Sequence, residues 1–580
     1  MSLWQERVRA LPEESRLCTS GLHPVLARLY ASRGIGGAAE LRLEASCLSP
    51  GEGPQGLRGL AEAAALLATA VQQQRAIMIV GDYDCDGATA TALLVEALRL
   101  CGARNLAYMV PDRFRWGYGL SSALVDHLPA GTEVLVTVDN GISSTEGIAL
   151  ARERGIQVIV TDHHLPGDSL PDAHAIVNPQ QPGCPFPWKS TAGVGVAFYL
   201  AAAVRARLLE SGAFSAATPP HLGTLWDLVA LGTVADVVPM EWNNRILVRQ
   251  GLERLRRGRG RTGLQVLMEL AGLDPATVTA ASLAFAIAPR INAAGRLEDM
   301  RTGIRLLLET DLEQARSLAE ELDALNRQRR DMEEEMGEEA GKLLASAPEC
   351  AHNFGLCVYQ PHWHAGIIGI VAGRLRERHH RPVFVFAPLE DGYLQGSGRS
   401  ILGLHLRDSL GDVATRYPGL LDRFGGHAMA AGLRLKEEDL PRFHQCWEEV
   451  LRERLDVRDL EARVEYDGEL ADGDLDLVLV RLLESAGPWG NRFPEPLFRG
   501  IFRVREHYPL SGGHCRYVLE TPGGKRLDGI QFRAAGTVSG THVEALYVPE
   551  INRFRGRERL QLRLQALRGR KEEEHHGRNQ

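Results

Sequence analysis

Four short clusters of carboxylates and imidazoles punctuate the first half of the sequence: Asp82, Asp84 and Asp86 in GDYDCDG, Asp139 in VDNG, Asp162, His163 and His164 in TDHH, and Asp236 in VADVVP. Taken singly, an aspartate-rich turn is usually a solvated loop or a helix cap. Taken together they are different, because each stands near the end of a predicted element and three strands would deliver them to one sheet edge. So many carboxylates in one cleft would repel one another and raise each other's pKa values, and divalent cations are the natural remedy. Oxygen donors with one or two imidazoles and no thiolate suit Mg2+ or Mn2+ better than structural zinc. The set can hold two ions about 3.5–4 Å apart with one bridging aspartate, an arrangement suited to in-line displacement at phosphorus. Phosphoester hydrolysis is the reaction class this implies. No H-E-x-x-H supports a zinc protease, and no G-x-x-x-x-G-K-[ST] loop supports a P-loop kinase.

The elements that must position these groups are legible between Ala76 and Pro239. Apolar runs AIMIV, LAYMV, VLVTV and QVIVT alternate with helical stretches such as TATALLVEALRL and STEGIALARERG. That alternation predicts a parallel sheet covered on both faces, with ligands collecting at the carboxyl ends of its strands. From Asp311 to Leu344 there is no proline, and Leu318, Leu322, Leu325, Met332, Met336 and Leu343 form one apolar stripe, which predicts a long helix between two units. A second α/β unit follows, with FGLCVY and PVFVF as strands and GIIGIVAGRLRERH as a helix. After Val464 the pattern changes to short strands, FRGIFRVREHY, CRYVLET, HVEALYV and RLQLRLQAL, which predict a small barrel or sandwich. The expected boundaries are an N-terminal segment at 1–60, a first α/β domain at 61–300, a connecting helix at 301–345, a second α/β domain at 346–456, a β-barrel at 457–570 and a mobile tail at 571–580.

Composition bounds the class. With 580 residues, 44% hydrophobic and 24% charged, the chain has ordinary globular usage and length for several domains. No window reaches the ~18 apolar residues of a membrane span, and the first residues do not read as a secretory signal. Nine cysteines without a C-x-x-C pair fit reduced thiols and a cytoplasmic location. The net charge of −8 argues against a nucleic-acid partner only on average: from Asn491 to Lys571 there are 16 Lys and Arg against 7 Asp and Glu, a balance of +9, which leaves −17 for the rest. In this basic stretch arginines interleave with Phe498, Phe502, Tyr508, Tyr517, Phe532, Tyr547 and Phe554, a composition that can stack bases and track a backbone. Any single ring in a small barrel is more often core.

The tripeptide at Asp162–His164, with GDYDCDGATATALL and VTVDNGIS before it and GTVADVVPM after it, resembles the signature of the DHH phosphoesterase superfamily. HPVLARLYASRGI, PDRFRWGYGLS, APRINAAGRL, HWHAGIIGIVAGRL, GSGRSI and FGGHAMAAG follow in order and resemble the single-strand-specific exonucleases of the RecJ family; GPWGNRFPEP is a rearranged form of a further motif. The resemblance implies a DHH domain, a DHH-associated domain and an OB-like barrel. It implies that Asp84 and Asp86 take one metal each, that Asp139 bridges as a catalytic ligand, and that His163 and Asp236 complete the coordination of the second ion. By the same resemblance Asp82 would supply the first site, since Val80 stands where many members place a histidine. His164 would contact the scissile phosphate or protonate the leaving oxygen. Asp162 would either orient an imidazole or cap a strand end. Ser397, Gly398, Arg399, Gly426 and His427, with Arg290 or Arg296, resemble a pocket for the terminal phosphate, the alternative being tight turns and a solvated face; His362 and His364 could also face the cleft.

The implied activity is a Mn2+- or Mg2+-dependent, 5′-to-3′ exonuclease that releases mononucleotides from single-stranded DNA in repair and recombination. It would act as a monomer, with a single-strand-binding protein and a helicase as candidate partners. A phosphodiesterase for short oligonucleotides or cyclic dinucleotides, and a non-catalytic DHH-fold scaffold in a replication assembly, are the competing readings.

Overall fold

The computed structural model describes residues 3–111, 119–214, 219–346, 352–532, 534, 540–554 and 556–570. Most of PDRFRWGYGLS and the expected mobile tail at 571–580 lie outside the described residues. The first strand, β1 (Leu3–Glu6), is paired far along the chain, with Leu3 opposite Arg463 and Glu6 opposite Tyr466 in a parallel ladder.

The apolar runs become strands of one parallel sheet: β2 (Ile77–Val80), β3 (Leu106–Met109), β4 (Val134–Val138) and β5 (Gln157–Thr161), joined by β6 (Ala175–Val177) in the order β3-β2-β4-β5-β6. Alternation within β2 explains why no side of it is polar. Ile77 and Ile79 pack with the helices Leu60–Gln72, Cys85–Leu100 and Gly193–Glu210, while Met78 and Val80 pack with Ser122–Asp126 and Thr145–Glu153. The chain leaves β2 for β3 on one side and returns to β4 on the other, so the sheet's topological switch lies between β2 and β4. The crevice at their carboxyl ends is where such a sheet binds ligands.

The connecting segment is broken once. A helix Arg301–Leu308 stops, and a second, Leu312–Ser346, begins after Asp311, whose carboxylate accepts from the Gln314 amide at 2.9 Å. The long helix expected from Asp311 to Leu344 is present as Leu312–Ser346, while the rest of the segment expected over 301–345 forms a separate helix, parted from it at 309–311 by a capping aspartate. Leu318, Leu322, Leu325 and Met336 of the apolar stripe are buried and Met332 and Leu343 partly so, and Glu333, paired with Arg329 at 2.7 Å, also takes Arg374 from the second α/β unit.

That unit has β7 (Leu356–Tyr359) and β8 (Val383–Pro388) in parallel, as their apolar runs suggest. It then continues antiparallel through β9 (Tyr393–Arg399), β10 (Arg423–Gly426) and β11 (Ala430–Lys436), in the order β10-β11-β9-β8-β7. The GSGR segment thus lies on an inner strand rather than in a tight turn, while FGG ends β10 at the turn into β11. The small residues of β9 make room for large neighbours: a Cβ at Gly396 would lie 2.6 Å from the Phe386 ring, and one at Gly398 would run into Phe384.

After β12 (Arg463–Tyr466) comes a helix, Leu477–Ala486, that the strand pattern of this region did not suggest. The strands β13 (Phe498–Leu510), β14 (His514–Glu520), β15 (Arg526–Gln531), β16 (His542–Phe554) and β17 (Arg557–Arg570) then close a five-stranded barrel, with β15 and β17 parallel at the seam. It does not stand apart. Arg33, its side chain fully buried, makes a twin hydrogen bond to Asp467 at 2.9 Å, the Tyr30 hydroxyl donates to the Ala486 carbonyl at 2.8 Å, and the Arg245 guanidinium lies 4.2 Å from the centre of the Phe493 ring. The N-terminal segment, the first domain and the approach to the barrel share one apolar core.

Candidate active site

The loop after β2 turns at once into the helix Cys85–Leu100, and this gives the first carboxylates their places. Asp84 is its N-cap, accepting from the Gly87 amide at 3.0 Å, and the Cys85 amide is held by Asn292 Oδ1 at 2.8 Å. Asp86, in the first turn, accepts from the amides of Gly193 and Val194 at 2.7 and 3.0 Å, at the start of a second helix. Asp139 follows β4 in the left-handed region at φ 62°, and a Cβ on Gly193 would lie 2.5 Å from its Oδ1. Asn140 ties the ends of β2 and β4 together, donating to the carbonyls of Val80 and Val138 at 3.1 and 2.8 Å.

His163 completes the cluster. Its Nε2 lies 3.1 Å from Asp139, 3.5 Å from Asp236 and 4.0 Å from Asp86. Three triads result among the described residues, Asp82 with Asp84 and Asp139, Asp86 with His163 and Asp236, and Asp139 with His163 and His164; within each, the ligand atoms lie within 4.8 Å of one another. Burial and mutual repulsion press the acids toward their neutral forms: Asp82 and Asp139 are raised well above the usual range, and Asp86 and Asp236 are pushed up to about 7. Burial lowers His163. Asp82 Oδ1 and His163 Nε2 are buried without a hydrogen-bond partner among the described residues. Orphaned donors of this kind, all oxygen or imidazole, fit hard divalent cations.

Asp162 stands apart from that set. It is fully buried, and its oxygens accept from the amides of Ile142, His163 and His164 and from His164 Nδ1, the last at 2.7 Å. Burial alone would lower His164, but this hydrogen bond and the surrounding carboxylates outweigh it and hold the imidazole up to about 9. The ring faces the second α/β unit, 6.4 Å from that of His427 and nearly parallel to it. His427 sits in the turn between β10 and β11. The turn needs Gly426, because at φ 138° a Cβ there would lie 2.5 Å from the Ala430 carbonyl oxygen.

The other residues singled out from the sequence divide. Arg399 donates to the Gly398 carbonyl at 2.8 Å and to Ser397 Oγ at 3.3 Å, and both side chains abut Gly369 at the start of the helix Ile368–His379. Because β9 is an inner strand, its backbone is spent on ladders with β8 and β11, so a phosphate here would meet the side chains of Ser397 and Arg399. Arg296 crosses to the second unit, donating to the Gly366 carbonyl at 3.3 Å. Arg290 turns the other way and pairs with Asp323 of the long helix at 2.8 Å. His362 and Trp363 share Glu339 of that helix, and His364 Nδ1 accepts from the Gly366 amide at 3.0 Å. Asn140 and Asn292 were not picked out from the sequence, although both lie inside recognised motifs; amides carry no charge signal. The Gly193 and Val194 amides left no sequence signal at all.

In the barrel, Phe498, Phe502, Tyr517 and Tyr547 are core, while Tyr508 and Phe532 are about half exposed; the side chain of Phe554 lies outside the description. Many arginines are spent within the protein, Arg499 on Glu544, Arg505 on Glu520, Arg516 on Asp528, Arg553 on Glu484 and Arg563 on Glu495. Strand register lines up Arg570, His542, Arg503, Glu520 and Arg526 across five strands, four basic positions and one acid.

Comparison with known proteins gives the same three units. The DHH family N-terminal domain matches residues 76–233, the DHHA1 domain 353–453 and the RecJ OB domain 466–566. The single-stranded-DNA-specific exonuclease RecJ of Salmonella typhimurium is 48% identical over 568 residues, which cover 96% of this chain and 98% of that one. Crystal structures of RecJ from Thermus thermophilus superpose along 98% of this chain: the Mn2+ complex at TM-score 0.81 and 32% identity over 80% of its own length, and the Mg2+ complex at 0.75 and 31% over 79%. With 48% identity along nearly the full chain, all three domain matches and a cluster of acids at the sheet's switch point, the chain belongs to the RecJ family of single-stranded-DNA-specific exonucleases.

Proposed function

We propose that the chain hydrolyses single-stranded DNA from its 5′ end, releasing mononucleotides with two Mn2+ or Mg2+ ions. The observation that carries this reading is the pair of carboxylate-rich triads sharing one crevice, with Asp139 touching both through His163. Asp82, Asp84 and Asp139 would hold one ion, and Asp86, His163, Asp236 and Asp139 the other. When bound, such ions neutralise the acids, polarise the phosphoryl group and supply the Lewis acidity for in-line attack by water.

The remaining steps fall to side chains. Asp162 accepts from His164 Nδ1 and orients the ring, so that it can donate to a phosphate oxygen or to the leaving oxygen. His427 faces it from the other wall, and Ser397 and Arg399 receive the terminal phosphate. The close approach of the two walls admits one strand and excludes a duplex. The barrel's basic row then holds the strand's trailing part. Repair and recombination, a cytoplasmic location, a monomeric enzyme, and a single-strand-binding protein and a helicase as partners accord with this reading; no described helix is long and apolar enough to cross a membrane.

Digestion of a single strand labelled at each end in turn, with either metal, tests it. Early release of 5′-labelled mononucleotide is expected, and early loss of a 3′ label overturns the polarity. Asp139→Ala should abolish cleavage while strand binding stays near normal; an active variant would remove Asp139 from the mechanism.

A further inference from the structure

Five of the proposed ligands sit where the fold fixes them, at the carboxyl ends of strands or in the helix turn that follows. Asp236 does not. It closes the helix Trp226–Ala235 as its C-cap, with its amide on the Gly232 carbonyl at 3.0 Å, and it leads into an irregular loop. The next residue, Val237, is 63% exposed and has φ 58°. This left-handed position after a helix is normally given to glycine, because a β-branched side chain is strained there. Such a conformation persists only where its surroundings over-determine it.

Two asparagines do so. From inside, Asn244, almost fully buried, donates to the carbonyls of Pro239 and Ser190 at 2.9 and 2.8 Å. From outside, Asn491 donates its side-chain amide to the Val237 carbonyl at 2.7 Å, and its own carbonyl accepts from the Met240 amide at 2.8 Å. Asn491 belongs to GPWGN, on the approach to the barrel. That turn is itself held rigid: Gly490 and Phe493 bridge each other, Trp489 stacks on Phe493 at 5.2 Å, the Arg33 guanidinium lies 5.3 Å from the Trp489 ring, and a Cβ on Gly490 would lie 2.6 Å from Met240.

We infer that Asn491 is a positioning residue for the second metal site, holding the Val237 turn so that Asp236 is aimed at His163 and Asp86. The third unit thereby completes the catalytic centre as well as binding the strand. The inference rests on the reading of Asp236 as a ligand.

Because Asn491 is exposed, it can be changed without emptying a core. Asn491→Leu keeps its size and removes the donor; Asn491→Asp keeps size and polarity, likewise without the donor. Mn2+ is titrated into the full-length protein and unbound ion is read by electron paramagnetic resonance, with metal-free melting and metal-free strand binding measured alongside. The expected result for both variants is a loss of about tenfold to hundredfold in affinity at one of two sites. The other site, the metal-free melting temperature and strand binding should stay as in the parent, and Asp236→Asn should weaken that same site. If Asp236→Asn weakens Mn2+ binding while both Asn491 variants bind as the parent does, the positioning role is overturned. If Asp236→Asn binds Mn2+ normally, the ligand reading falls and the inference with it.

Discussion

The acids of the crevice are costly where they stand, and that cost has a sign. Asp86 and Asp236 titrate near 7 in the folded, metal-free protein but near 3.9 when unfolded. Between those values the folded state holds more protons than the unfolded one, so stability falls as pH rises toward and through 7. His164, held up to about 9, acts in the same direction above its unfolded value of about 6.5, because its stabilising charge is lost as pH rises. The metal-free melting temperature should therefore drop between pH 5.5 and 8, and Mn2+ should raise it most at the alkaline end. Asp236→Asn should flatten part of that drop; a metal-free curve level across this range would contradict the electrostatic picture. These residues were readable from sequence because a carboxylate cluster is a chemical anomaly. Asn140, which joins β2 to β4, and Asn491 were not, because an asparagine looks alike whether it caps a turn or holds a metal loop.

At the level of elements, what could be read depended on whether a strand advertises itself by size. The runs behind β2 to β5 and behind β7 and β8 are apolar throughout, and a buried parallel strand must be. β9 carries no such pattern because the rings of Phe386 and Phe384 fill the space beside Gly396 and Gly398, and β11 opens on small residues, Ala430 to Gly432. That packing bears directly on the proposed phosphate pocket, which rides on β9. A methyl group at Gly398 must push Phe384 aside, so Gly398→Ala should destabilise the protein by roughly 1–3 kcal/mol. By displacing Arg399 it should also raise KM for a 5′-phosphorylated strand more than for one lacking the phosphate. Denaturant unfolding and paired kinetics would check both, and an equal change for the two substrates would separate the pocket from β9.

At the level of the whole molecule, the barrel looked in sequence like a separable basic module on an acidic body, and its separability does not survive the structure. Cutting the chain after about Val464 would remove Asp467 from buried Arg33 and Phe493 from buried Arg245, and would expose the core shared with Leu475, Leu479 and Leu483. Leaving one buried charge unpaired costs about 3–5 kcal/mol, so such a truncation would report on folding before it reported on DNA. The function of the barrel has to be tested on its surface. Several of its arginines are neutralised by partners, but Arg503 and Arg570 are among those that make no ion pair with the described residues, and strand register sets them on either side of His542. If the trailing strand crosses this row, Arg503→Glu combined with Arg570→Glu should weaken binding of long single strands and reduce the slope of log affinity against log salt by about 2. Cleavage of oligonucleotides too short to leave the crevice should continue at the parental rate, because neither residue belongs to the proposed metal sites or to the turn of Asn491. An unchanged salt slope would take the strand off this face, and the +9 excess of the C-terminal stretch would then have to act elsewhere on its surface.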